Sequence, residues 1–286
     1  MLELLIAGAA VRILGVDFTS APRARKPITA ARCTLASEAL TLEAIELLPD
    51  FECFERFLRR PGPWTGGFDF PFGLPRELVR DLGWPRAWRE LVGLCAALPR
   101  AEWRGMLERY RASRPPGRKY AHRATDIPAG SSSPMKLVNP PVALMFHAGV
   151  PRLAAAGVHL PGLAGGDPGR VALEAYPGML ARSITREPYK SDTAAKQTRA
   201  RAGARRAILA ALARGAHPLR LRLRTTAALA RAMREDPAGD LLDAALCAVQ
   251  AGWAARRPNY GLPARVPRPE GWIVTAQGLY SRRGQR

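Results

Sequence analysis

Four apolar segments of this chain meet a carboxylate at one end. Ile13-Leu14-Gly15-Val16 runs into Asp17, Trp64-Thr65-Gly66-Gly67-Phe68 runs into Asp69, and Val171-Ala172-Leu173 runs into Glu174. Asp240-Leu241-Leu242-Asp243-Ala244-Ala245 sets two acids three residues apart at the start of an apolar helix. Acids beside buried segments are costly unless they are paired or bound to a cation. Carboxylate oxygens are the preferred ligands of hard divalent ions, so the expected cofactor is Mg²⁺ or Mn²⁺.

Such a set suits phosphodiester hydrolysis, in which two ions about 3.5–4 Å apart activate water and stabilise the leaving oxygen. In a sheet with parallel strands, the carboxyl ends of the strands share one edge, where ligands bind. Asp17, Asp69 and Glu174 are expected there. Asp240 and Asp243, at positions i and i+3, share a helix face and complete the cluster. Each acid also has a plainer reading. Asp240 can cap its helix, Asp69 can be a turn residue before Phe70-Pro71, and Glu174 can pair with an arginine. Asp17 is the hardest to explain without a ligand, since it follows its apolar run directly.

The elements that must position these acids follow from hydrophobic patterning. Residues 11–18 predict a central strand, 28–36 and 40–48 two further strands joined by a short turn, and 64–70 a fourth. Residues 171–174 form a short buried fifth. Phe51 to Arg60 has helical spacing, two or three helices follow to about residue 112, and 140–157 and 240–255 are also helical. Residues 193–214 predict a strongly basic helix, and 271–275 an edge strand. Residues 113–136, rich in Ser, Pro, Gly and basic side chains, read as a loop or mobile flap. The first three strands form a meander, and the later ones lie parallel to the first. The expected fold class is α/β, a mixed five-stranded sheet flanked by helices. No internal repeat is evident.

The 286 residues suffice for one sizeable domain. With 44 Lys+Arg against 24 Asp+Glu, the formal net charge is +20. Two sources of that excess stand side by side: a polyanionic partner matched by arginine forks, and a coding sequence rich in G and C. The four cysteines, Cys33, Cys53, Cys95 and Cys247, have no metal-site spacing and read as buried thiols of a reducing compartment. No apolar run approaches the roughly 18 residues of a membrane span. Residues 1–10 are apolar but lack a basic start and carry Glu3, so they read as a non-native or disordered extension rather than a signal peptide. A cytoplasmic protein that makes no membrane contact is expected. His122, His147, His159 and His217 have no pairing as metal ligands, and phosphate-loop and nucleophile-elbow motifs are absent.

The chain resembles the bacterial and archaeal family of predicted nucleases with the ribonuclease H fold (domain of unknown function 429). The matching strings are GVDFTSAP at 15–22, GFDFPFGLP at 67–75, EAYPGML at 174–180, YKSD at 189–192, DLLDAALCAVQAGW at 240–253 and EGWI at 270–273. The Asp-x-x-Asp-Ala string is also similar to the last acidic motif of Holliday-junction resolvases of that fold. The resemblance implies a single ribonuclease H-like domain over 11–286 with helical insertions, here 76–157. By matching motif, it makes Asp17, Asp69, Glu174 and Asp243 the catalytic and metal-binding acids, with Asp240 accessory. Lys190 lies in a matching string and is a candidate phosphate contact. Lys196 and Arg199 of the basic helix are further candidates for substrate binding. Arg123 and Asp126 lie in the flap and are candidates to close over the site. The expected function is metal-dependent nuclease action on DNA or RNA. The alternatives are a catalytically silent nucleic-acid-binding protein and, with less support, a nucleotide-binding or nucleotide-hydrolysing protein of the same superfamily.

Overall fold

The computed structural model describes residues 10–277, so the extension expected at 1–10 lies, except for Ala10, outside the described residues. The strands are β1 (Val11–Asp17), β2 (Ile28–Ala36), β3 (Ala39–Leu48), β4 (Trp64–Phe68), β5 (Val158–His159), β6 (Asp167–Glu174) and β7 (Arg222–Arg224). The helices are α1 (Phe51–Leu58), α2 (Arg76–Asp81), α3 (Trp88–Ala97), α4 (Arg100–Ser113), α5 (Asp126–Ala129), α6 (Val142–Ala155), α7 (Pro177–Ile184), α8 (Arg199–Arg214), α9 (Ala227–Glu235) and α10 (Asp240–Ala255).

One mixed sheet runs through the molecule in the order β5-β6-β4-β1-β2-β3-β7. β1, β2 and β3 form the expected antiparallel meander, while β4 lies parallel to β1 and β6 parallel to β4. The sheet has seven strands rather than five. The two additions are edge pieces, β5 and β7, of two and three residues. Neither is long enough to show an alternating pattern in sequence. The edge strand expected at 271–275 reduces to a single parallel bridge, Glu174 to Ile273. The basic helix expected from 193 begins at Arg199, where Thr198 caps it by accepting from the Arg201 N–H, and a short 3-10 turn over Ala194–Lys196 precedes it.

Strand periodicity sorts the two faces of the sheet. On β1 and β4, Leu14, Val16, Trp64 and Phe68 face a core shared with α1 to α4 and α6. Val11 and Ile13 face the opposite core, built with α7, α8, α9 and α10. Gly15 and Gly67 lie in the same alternating rows as Ile13 and Thr65, and both lie directly under α10. A Cβ on Gly15 would stand 2.1 Å from the Ala244 carbonyl oxygen and 2.3 Å from the Ala248 nitrogen. One on Gly67 would stand 2.5 Å from the Cys247 carbonyl oxygen. The small faces of α10 and of the two strands therefore let backbone rest on backbone.

The segment 113–136 is largely irregular chain, but its middle belongs to the interior rather than to a cover. Arg123, Thr125 and Asp126 are fully buried, and a short helical turn forms at α5. Glu270 holds the segment from the far end of the chain, accepting from the Ala124 and Arg76 backbone N–H groups at 2.9 Å each. Its composition resembles that of a loop, yet its buried polar groups are satisfied by distant partners, as burial requires. No helix among the described residues is long and apolar enough to cross a membrane.

The glycine contact generates a stability prediction. Gly15→Ala forces backbone apart from backbone, and the expected cost is about 3 kcal/mol or more. Urea unfolding of the variant measures it. An unchanged midpoint would show that α10 does not depend on this contact.

Candidate metal centre

Hydrogen bonding of β1 to β4 continues one step past the strand, with the Asp69 N–H donating to the Val16 carbonyl at 2.9 Å. Asp69 therefore lies beside Asp17. Both are two residues beyond a glycine that faces α10, so both side chains project on the α10 side. Asp243 comes down to them from the first turn of α10. That helix starts after Gly239, which adopts φ +79°, a left-handed conformation that glycine takes without strain. Asp240 is the first helical residue, and the cap position before it is Gly239 rather than an acid. The carboxylates of Asp17, Asp69 and Asp243 each offer an oxygen within 4.8 Å of the others. Three clustered carboxylate oxygens fit a hard divalent cation, so the group could hold a metal ion.

Without a cation the cluster is electrostatically unfavourable. Burial, reinforced by Asp243, pushes the Asp17 carboxyl well above its ordinary range. Burial also pushes Asp69 up to about 7, with Lys190 opposing and Asp243 adding to the shift. Lys190 and Tyr189 supply the local compensation. The Lys190 ammonium is ion-paired to Asp243 Oδ2, and the Tyr189 hydroxyl donates to Asp243 Oδ1. Burial disfavours the charged lysine, but Asp243 and the neighbouring acids outweigh it, and the Lys190 pKa is raised.

Glu174 is placed differently. On β6 it follows the alternation of Ala172, which faces the other core, so its carboxylate projects to the side of the sheet away from α10. There Arg123 takes it with both ends of its fork, at 2.6 and 2.8 Å, and the Phe72 N–H donates at 2.9 Å. The same guanidinium also donates to Asp126 at 2.8 Å. The pairing of Glu174 with an arginine, one of its two readings in sequence, is what the structure contains. Arg123 and Asp126 form a buried triad with it rather than a moving cover.

A cleft of about 840 Å³ opens over Asp17 and Asp69, with Asp243 buried beside them. Asp17, Asp69, Glu174, Asp240, Arg123 and Lys190 all line it. Asp240 is held above its ordinary range by burial, with Lys26 opposing. Lys26 also lines the cleft and donates to Asp192 at 2.7 Å. Lys196 and Arg199 are exposed and lie outside the lining. Tyr189, the hydroxyl partner of Asp243, was not singled out by sequence reasoning. Its available signal was a tyrosine beside Lys190 inside the YKSD string.

A family described as "Protein of unknown function (DUF429)" matches residues 15–270, and the chain belongs to that family. No curated protein and no solved structure matches it.

Two outcomes test the electrostatics of the site. Arg123→Met leaves Glu174 and Asp126 buried without their cation, and the expected loss is about 3–5 kcal/mol in chemical unfolding. Near-wild-type stability would show that the triad is not structural. The second outcome concerns pH in the presence of a chelator. A carboxyl raised from 3.8 to about 7 holds its proton more tightly in the folded state. Its favourable contribution is therefore full below about pH 4 and lost as pH rises through about 7. The wild-type Tm should carry a downward component across that window, and Asp69→Asn should flatten it. Parallel Tm–pH curves for the two proteins would remove Asp69 as the source.

Proposed function

We propose that this member of the DUF429 family is a metal-dependent phosphodiesterase with a ribonuclease H-like core, acting on DNA or RNA. The observation that carries the reading is the convergence of Asp17, Asp69 and Asp243 at the carboxyl end of β1 and β4, under a cleft bordered by lysines. The core reading is supported by the three-stranded meander continued by the parallel strands β4 and β6. The nucleic-acid reading is supported by the net charge of +20 and by the exposed arginines of α8 and β7.

In this reading Asp17, Asp69 and Asp243 hold a Mg²⁺ or Mn²⁺ ion. When bound, such an ion polarises a phosphoryl oxygen and lowers the pKa of a coordinated water. Tyr189 orients Asp243 through its hydroxyl. The Lys190 side chain, 43% exposed and lining the cleft beside that aspartate, is placed to contact a phosphate oxygen. Lys26 and Arg186 on the cleft border add positive charge along the path of a polyanion.

The test is incubation of the purified protein with a labelled panel of single-stranded, duplex and branched DNA and RNA, with and without Mn²⁺. Asp17→Asn keeps the shape of the side chain but removes its charge. It should lower cleavage by about 10³-fold or more while leaving binding near wild type. Affinity should fall steeply from low to physiological salt as phosphate contacts release counterions. Salt-sensitive binding with no cleavage by the wild type under any metal would replace the enzyme reading with nucleic-acid binding alone. Absence of both would remove the nucleic-acid reading.

A further inference from the structure

We infer that the three-aspartate site takes one divalent ion rather than two, and that the Lys190 ammonium permanently holds the second cation position. The inference rests on the metal reading given above. A two-ion site needs carboxylates enough to fix each ion and to offset the repulsion between them. The fourth acid of the chain that sequence motifs bring to the site, Glu174, is not free to supply those ligands. Its Oε1 accepts from Arg123, its Oε2 accepts from Arg123 and from the Phe72 N–H, and Arg123 is itself fixed by Asp126. The alternation along β6 also turns Glu174 to the side of the sheet away from Asp243.

Lys190 is not a wandering surface lysine. Its carbonyl accepts from Arg201 at 2.7 Å, and the preceding carbonyl, of Tyr189, accepts from the buried Arg205 at 2.7 Å. On the other side the Ser191 N–H donates to Pro237 at 3.0 Å. These contacts pin the backbone on both sides of Lys190 while its ammonium rests on Asp243 Oδ2. A lysine is a compact point charge and can stand where a cation would stand. Three carboxylates together carry three negative charges, which one divalent ion and one ammonium neutralise. A second divalent ion would have to displace the ammonium or sit within a few ångströms of it, against a Coulomb repulsion that grows as water is excluded. Asp240, one turn earlier on α10, also lines the cleft near Lys26, whose ammonium is ion-paired with Asp192.

The test is an ion count. Metal-free protein is equilibrated with Mn²⁺ up to the millimolar range, and bound ion is obtained by equilibrium dialysis or from the electron-spin signal of free Mn²⁺. Wild type should bind one Mn²⁺ per chain. Lys190→Met keeps length without charge and should either bind two or bind the first at least about tenfold more tightly. Lys190→Arg should keep a count of one. Two equivalents bound by the wild type, or Lys190→Met indistinguishable from wild type, would overturn the inference and leave the metal reading standing. No Mn²⁺ bound by the wild type would instead overturn the metal reading itself. Should Lys190→Met fail to fold in a circular-dichroism check, the wild-type count still decides.

Discussion

The close rest of α10 on β1 and β4 is the contact on which the site depends. Gly15 and Gly67 present no side chain, and the helix answers with Ala244, Ala248 and Ala251. Burial of these residues is complete, so the contact is dry as well as close. A single added methyl group would stand about 2 Å from a helix carbonyl, far inside van der Waals contact. Because the helix sits this low, the carboxylate of its first turn reaches the ends of two strands that it could not otherwise touch. The first turn of a helix also favours negative charge, which lightens the cost of bringing Asp243 there.

Charge of one sign gathered in one place must be answered locally, and the fold does so twice, once on each side of the sheet. On the α10 side, Lys190 and Tyr189 meet Asp243 beside Asp17 and Asp69. On the other side, Arg123 meets Glu174 and Asp126 out of water. The two arrangements differ in kind. The arginine is enclosed, its fork shared by two carboxylates and the Glu270 carbonyl, and it ties residues 123–126 to β6 and to the Glu270 segment. The lysine is partly open to the cleft and faces a group of acids that still exceeds it in charge. A closed and satisfied pair stabilises a fold, while an open and unbalanced one is suited to a ligand.

The motif strings that run through the chain gain a physical meaning from these contacts. In the string at 67–75, Gly67 seats α10 and Asp69 supplies a carboxylate. Gly73 lets the chain pass within 2.1 Å, measured to a hypothetical Cβ, of the Pro269 carbonyl. In the string at 270–273, Glu270 accepts from the first N–H of α2 and from Ala124. YKSD supplies the hydroxyl and ammonium on Asp243, and its last residue meets Lys26 across the cleft. Segments distant in sequence thus meet at the rim and floor of one cleft.

What the sequence determined by itself was the set of local elements and the acids at their ends. β1 to β4, β6 and α10 follow from apolar runs and their periods, which depend on neighbouring residues alone. The grouping of Asp17 with Asp69 was also legible, since each lies two residues beyond a glycine in a strand. The same period of two applied to β6 puts Glu174 in the row of Ala172, away from Val171 and Leu173. What sequence could not supply is which row faces α10, because that is a property of layers packed together. Tertiary structure alone decided that Arg123 would claim Glu174, since ion pairing between residues 51 apart depends on where two segments are carried. It also decided that Arg123, Thr125, Asp126 and Ser133, inside a stretch rich in Ser, Pro and Gly, would be buried. Composition reports how much apolar surface a segment offers, whereas the burial of Arg123 and Asp126 is stabilised by their mutual ion pair and by polar partners at 174 and 270.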